Sequence, residues 1–140
     1  EESRPAKKNG KKERAAMNEE YNTVKILSPK GGRGYDIMFK RDVTAYPIEA
    51  LLLRNDDPVD LTGCRVEFSM RHLTTGRFTL RREAAIQDAA AGEVRFDWQP
   101  GDTDVAGSYR AEFKVTYPDG RRATFPNAGY IKIFLMKDIE

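Results

Sequence analysis

The chain has 140 residues, 39% of them apolar and 33% charged, enough for one domain with its own core. Its net charge of +2 argues against a dedicated nucleic-acid binder. No apolar run approaches the roughly 18 residues of a membrane helix, and a lone cysteine, Cys64, excludes an intrachain disulfide.

Charge is unevenly placed. Residues 1–33 hold nine Lys/Arg, among them Lys7, Lys8, Lys11, Lys12 and Arg14, against five Glu. The remainder holds 15 Lys/Arg against 17 Asp/Glu, so a basic segment precedes a mildly acidic body. The N-terminus shows no apolar core segment of a secretory leader, which together with the lone cysteine fits synthesis in a reducing cytoplasm. Residues 1–33 are polar and Gly-punctuated, and only "YNTVKIL" within them has the makings of a short strand. Composition predicts a flexible basic arm over 1–33 that orders on a neighbouring subunit, followed by a folded body over 34–140. "KGGRG" lacks the spacing of a phosphate loop and reads as the hinge between them. The basic side chains could neutralise phosphates, but no aromatic interleaves them, so sequence-specific nucleic-acid readout is not expected.

From Gly34 onward the apolar period is two. An apolar run at Tyr46–Arg54 ends in the turn "NDDP". "DLTG" then leads into "CRVEFSMRH", with Cys64, Val66, Phe68 and Met70 on one face. After "TTG", a short strand is expected at Glu83–Gln87, closed by the turn "DAAAG". "EVRFDW" alternates Val94, Phe96 and Trp98 with charged residues, and "YRAEFKVTY" alternates Tyr109, Ala111, Phe113, Val115 and Tyr117 with polar ones. "PDG" and a last apolar run, Ile131–Met136, complete the chain. Strict alternation marks strands with one buried and one wet face, which antiparallel sheets tolerate. About seven or eight short strands with frequent turns predict an all-β, immunoglobulin-like antiparallel sandwich with an extended N-terminal arm.

"DTDVAGSYRAEF" places acidic residues, a glycine and a tyrosine just ahead of a strand. This spacing predicts a tyrosine corner: Tyr109 bonds back to the upstream backbone, Gly107 allows the close approach, and Asp102 or Asp104 satisfies loop amides. Catalytic constellations are missing. Cys64 and His72, the obvious nucleophile pair, lie eight residues apart on one predicted strand, roughly 26 Å at about 3.3 Å per residue. Hydrogen-bond reach is about 3 Å. One Cys and one His cannot build a zinc site. Asp97, Asp102 and Asp104 cluster in sequence but form no EF-hand-like loop, and nothing locates a facing carboxylate pair. The expectation is a non-enzymatic protein without metal or cofactor.

Some apolar residues fall on outward parity: Leu51 and Leu53 in one strand, Phe134 and Met136 in another. They are candidates for a partner interface, together with Lys7, Lys8, Lys11, Lys12 and Arg14 of the arm, although coverage by loops or by the arm itself would explain the apolar four equally. Tyr46, Tyr130 and Trp98 are the candidate stacking residues of a glycan-binding module, with Trp98 better explained as core.

As a set, "PVDLTGCRVEFSMR", "GEVRFDWQPGDTDVAGSYRAEFKVTYPDG" and "ATFPNAGYIKIFL" resemble the N-terminal immunoglobulin-like domain of phage baseplate upper proteins. The "DLTG" turn, the "GxVxFxW" strand, the "DTxxxGxYxxEF" corner and the "PDG…TFPN" end carry the resemblance, over about Tyr35 to Asp138. It implies a virion structural protein, a tail or baseplate component made in the host cytoplasm, that packs against other virion proteins and copies of itself. It implies no catalytic residue, cofactor or membrane. In the larger baseplate proteins further domains follow, so a shorter chain would also suit a head decoration protein or a head–tail connector accessory. A surface glycan-binding module is the alternative of a different class.

Overall fold

A computed structural model describes residues 21–139. Ten strands follow in order: β1 (Asn22–Ser28), β2 (Ile37–Lys40), β3 (Ile48–Arg54), β4 (Asp57–Pro58), β5 (Arg65–His72), β6 (Phe78–Asp88), β7 (Glu93–Phe96), β8 (Gly107–Thr116), β9 (Arg122–Phe125) and β10 (Ile131–Met136). The described fold is all-β, as the alternation predicts.

One sheet runs β1–β3–β7–β6, with β4 also on β3; the other runs β6–β5–β8–β10–β2, with β9 also on β8. All pairings are antiparallel except β2 with β10. β6 belongs to both sheets. Its first part pairs with β5 up to Ala84, and from Ala85 it pairs with β7. The strand expected at Glu83–Gln87 is therefore only the end of an 11-residue strand. "LRRE" hides its beginning because Arg82 occupies an inward-parity position, opposite Phe68.

The segment placed in the arm contributes to the body. β1 pairs with β3 from Asn22↔Arg54 to Ser28↔Glu49, so the folded unit begins by Asn22 rather than at Gly34. Val24 and Ile26 pack against the core opposite Leu52 and Ala50. Asn22 is only 3% exposed. Its N–H donates to Asn127 Oδ1 at 3.1 Å, its side-chain amide donates to Thr124 C=O at 3.2 Å, and its C=O accepts from Asn127 N–H at 3.2 Å. These bonds tie the edge of one sheet to the β9–β10 region of the other. Low hydrophobicity misleads here because polar hydrogen bonding supplies much of what holds the strand. The basic residues Lys7, Lys8, Lys11, Lys12 and Arg14 lie outside the described residues.

Turn chemistry follows residue type. Asn55 and Asp56 of "NDDP" have φ of 51° and 71°, the left-handed pair that a two-residue hairpin requires. Asp60 of "DLTG" accepts from Thr62 N–H and hydroxyl at 3.1 and 2.7 Å, which holds its carboxyl below the usual range. Between the sheets the core centres on Phe68. Its ring lies 4.5 Å from Phe96, 5.2 Å from Phe113 and 6.1 Å from Trp98.

The Tyr109 corner and the candidate interaction surfaces

The loop between β7 and β8 is bonded along its length. The Tyr109 hydroxyl donates to Val105 C=O. Burial pushes the phenol's pKa above its ordinary value. Asp102 Oδ2 accepts from Gln99 N–H at 2.7 Å and from Arg82 Nη2 at 2.5 Å, while Oδ1 faces Arg82 Nη1 at 3.4 Å. The Thr103 hydroxyl donates to Val43 C=O at 3.1 Å, and Arg41 Nε donates to Asp104 C=O at 2.6 Å. Both bonds moor the loop to the β2–β3 connection. Asp104 takes part through its main chain, and its side chain is exposed. The Asp102 carboxylate and the Tyr109 hydroxyl thus each close a bond within this loop, Gly107 packs against His72, and Asp104 contributes its main-chain carbonyl.

Arg82 was not singled out from sequence. It is paired with Asp102, donates to Asp97 C=O at 3.3 Å, and lies with its guanidinium 4.9 Å from the Phe96 ring centre. The available signal was a charge on the apolar face of a strand, between Leu80 and Ala84. Asp97 turns instead to Arg95, at 3.1 Å from its Nε. Asp97 and Asp102 therefore turn to different arginines while Asp104 bonds through its main chain, and among the described residues no group of three or more His, Cys, Asp or Glu is arranged to hold a metal ion.

Cys64 immediately precedes β5 and His72 ends it, so the strand separates them. Burial, reinforced by the Asp60 and Asp119 carboxylates, raises the Cys64 thiol above its ordinary pKa, so its nucleophilic thiolate is disfavoured. His72 is a packing residue of the corner. Its ring stands edge-on to Tyr109 at 4.9 Å, and its Nδ1 accepts from Thr75 N–H at 3.3 Å. That assigns the ring proton to Nε2, which faces Ala106 C=O at 3.1 Å. Tyr109→Phe removes only the hydroxyl that closes the corner. It is expected to lower stability by about 1 kcal/mol, read by thermal or urea denaturation. An unchanged midpoint would mean that the bond to Val105 contributes nothing.

The outward apolar residues form two patches, one on each sheet. Leu51 and Leu53 are half-buried on the outer face of β3, opposite Lys25 and Thr23 of β1. Phe134 and Met136 are half-buried on the outer face of β10, beside Met38 and Lys40 of β2. Phe134 stacks on Tyr35 at 5.1 Å, and the Tyr35 hydroxyl bonds to Ser108 Oγ at 2.8 Å. The four residues thus belong to opposite sides of the sandwich. Of the candidate glycan-stacking rings, Trp98 is buried, while Tyr46 and Tyr130 are half exposed.

The outer face of the second sheet also carries an open depression of about 440 Å³ between Glu67, Arg71, Arg81, Arg110, Lys114 and Tyr130. Cations outnumber anions in its lining, and the Arg110 guanidinium lies 5.0 Å from the Tyr130 ring centre.

Residues 36–126 match the family described as the BppU N-terminal domain. No curated protein gives a significant sequence match. Among solved structures, the chain is similar to CopC from Methylosinus trichosporium OB3b, at 15% identity over 74% of this chain and 86% of that one, with a TM-score of 0.48. It is also similar to murine CRIg, at 19% identity over 84% of this chain and 98% of that one, with a TM-score of 0.37.

Proposed function

Because this chain belongs to the BppU N-terminal domain family, a family of phage baseplate structural domains, we propose that it is a virion protein of the phage tail, built into the baseplate through protein–protein contacts. The match over residues 36–126 carries this reading. Two observations on the molecule support it. Both sheets keep half-buried apolar residues on their outer faces, Leu51 and Leu53 on one and Phe134 and Met136 on the other. The loop with the most acidic residues is spent on internal bonds, through Arg82, Gln99 and Tyr109, rather than on a reacting centre. Many copies on a symmetric particle would turn individually weak contacts into stable incorporation.

In this reading the basic segment ahead of β1 is an arm that reaches a neighbouring subunit and orders there. Its five cations at Lys7, Lys8, Lys11, Lys12 and Arg14 favour an acidic partner surface. The test is sedimentation of the purified chain with isolated tails and with isolated capsids of its phage. Co-sedimentation with tails is the expected result; binding to capsids alone would overturn the tail assignment. Deleting residues 1–20, which leaves β1 intact, is expected to keep the melting temperature and lower occupancy on tails. Undiminished occupancy would remove the arm from the mechanism.

A further inference from the structure

One row of the second sheet sets three cations side by side across three strands. Arg71 of β5 stands directly opposite Arg110 of β8, and Arg110 stands directly opposite Lys132 of β10. Their inward neighbours Met70, Ala111, Ile131 and Ile133 are buried, so all three cations project from the outer face, and all three are exposed. None of the three takes part in an ion pair among the described residues. Like charges directly opposite each other destabilise a sheet. Elsewhere on the same face a like-charge pair is offset: Glu67 stands opposite Glu83, but Glu67 also faces Lys114, and Arg65 reaches Glu83 at 3.5 Å. The row borders the 440 Å³ depression, whose four Arg and Lys side chains outnumber Glu67 and Glu112; the Asp36 carboxylate accepts from the Lys132 main-chain N–H at 2.8 Å, and the exposed apolar side chains Leu73 (42% exposed) and Tyr130 (49% exposed) flank the row.

We propose that this row is a docking surface for an acidic, extended polypeptide segment of a neighbouring virion protein, with apolar side chains of that segment resting on Leu73 at one side of the row and on Tyr130 at the other. Three strands at about 4.8 Å spacing give the row a span of about 10 Å. An extended peptide sets same-face side chains about 7 Å apart, so two carboxylates at i and i+2 fit within it. Arginine forks suit carboxylates, and the missing anion is what the row needs to become favourable. The exposed Leu73 favours a protein side chain over a sugar, which finds a stacking plane only on Tyr130. The identity of the partner as a virion protein rests on the assembly reading above; the chemistry of the surface does not.

The test uses the full chain and a fluorescent decapeptide of alternating Glu and Ser with a central Phe, read by anisotropy. Saturable binding is expected, weakening steeply between 50 and 500 mM salt, on the order of the screening lengths involved. The Arg110→Glu variant converts the row to alternating charge, so it is expected to bind the peptide about tenfold more weakly or worse while melting no lower than the native chain. Should Arg110→Glu melt lower, Arg110→Gln, which removes the charge and adds none, carries the same expectation of weaker binding. Equal affinity of native and variant chains would overturn the proposal, as would binding of a heparin oligosaccharide with none of the peptide. Arg110→Glu chains that lose the peptide yet load normally onto tails would sink the row as an assembly contact and leave the assembly role standing. Native chains that bind the peptide but load onto no particle would do the reverse.

Discussion

Replacing Trp98 by alanine is expected to destabilise the fold by about 3–5 kcal/mol, the range for truncating a large buried aromatic. The ring is 6% exposed and stands edge-on to Phe39, Phe68 and Phe96 at 5.8, 6.1 and 5.4 Å. Its Nε1–H donates to Tyr46 C=O at 3.0 Å, which fixes the chain ahead of β3. Alanine would empty the space and leave that carbonyl without its donor. Domains of this size hold about 5–15 kcal/mol in total, so the variant would be near its unfolding threshold. Trp98→Phe keeps much of the packing and is expected to lose far less. Urea denaturation of both variants checks the order. The same pair of variants bears on the glycan alternative. A stacking residue of a binding platform could be truncated with little cost to the fold, so a Trp98→Ala chain as stable as the native one would return Trp98 to the list of ligand contacts.

The strands with strict alternation were legible in the sequence, and for a physical reason. β5, β7 and β8 each have one face against the core and an opposite face of charged and polar residues, so their period of two is plain in the residues themselves. β1 and β6 were harder. β1 owes its place partly to Asn22, whose hydrogen bonds to Thr124 and Asn127 span more than 100 positions of chain and leave no local pattern. β6 leaves one sheet for the other along its length, and Arg82 interrupts its apolar face. That arginine is tolerable there because Asp102 pairs with it and Phe96 supplies a π face, both from sequence-distant segments. The row at Arg71, Arg110 and Lys132 was invisible for a related reason. Each cation alone is an ordinary outward residue, and only the register of β5, β8 and β10 puts them side by side. Interface chemistry of this kind lives in pairing, not in spacing.

Gly107→Ala is the other substitution with a large expected cost. Gly107 opens β8 at φ 134°, a backbone conformation essentially reserved for glycine. Such a position costs another residue about 1–3 kcal/mol in strain. Space is short as well: a Cβ there would lie 2.6 Å from His72 Nε2 and 3.3 Å from Cε1. His72 has little room to yield, since its ring is held by Thr75 N–H on one side and Ala106 C=O on the other and packs on Tyr109. The two costs separate in a double variant. In Gly107→Ala/His72→Ala the clash is gone and the strain remains, so the double variant should lose less than the sum of the two single changes. Strict additivity would mean that the His72 ring moves aside freely. The corner would then rest on the bonds of Tyr109 and Asp102 alone. A corner that tolerates alanine would also be a looser support for its neighbours, because Gly107 leads directly through Tyr109 to Arg110. The two single variants should therefore differ from Arg110→Glu in kind, losing stability first and peptide binding only as the strand entry shifts.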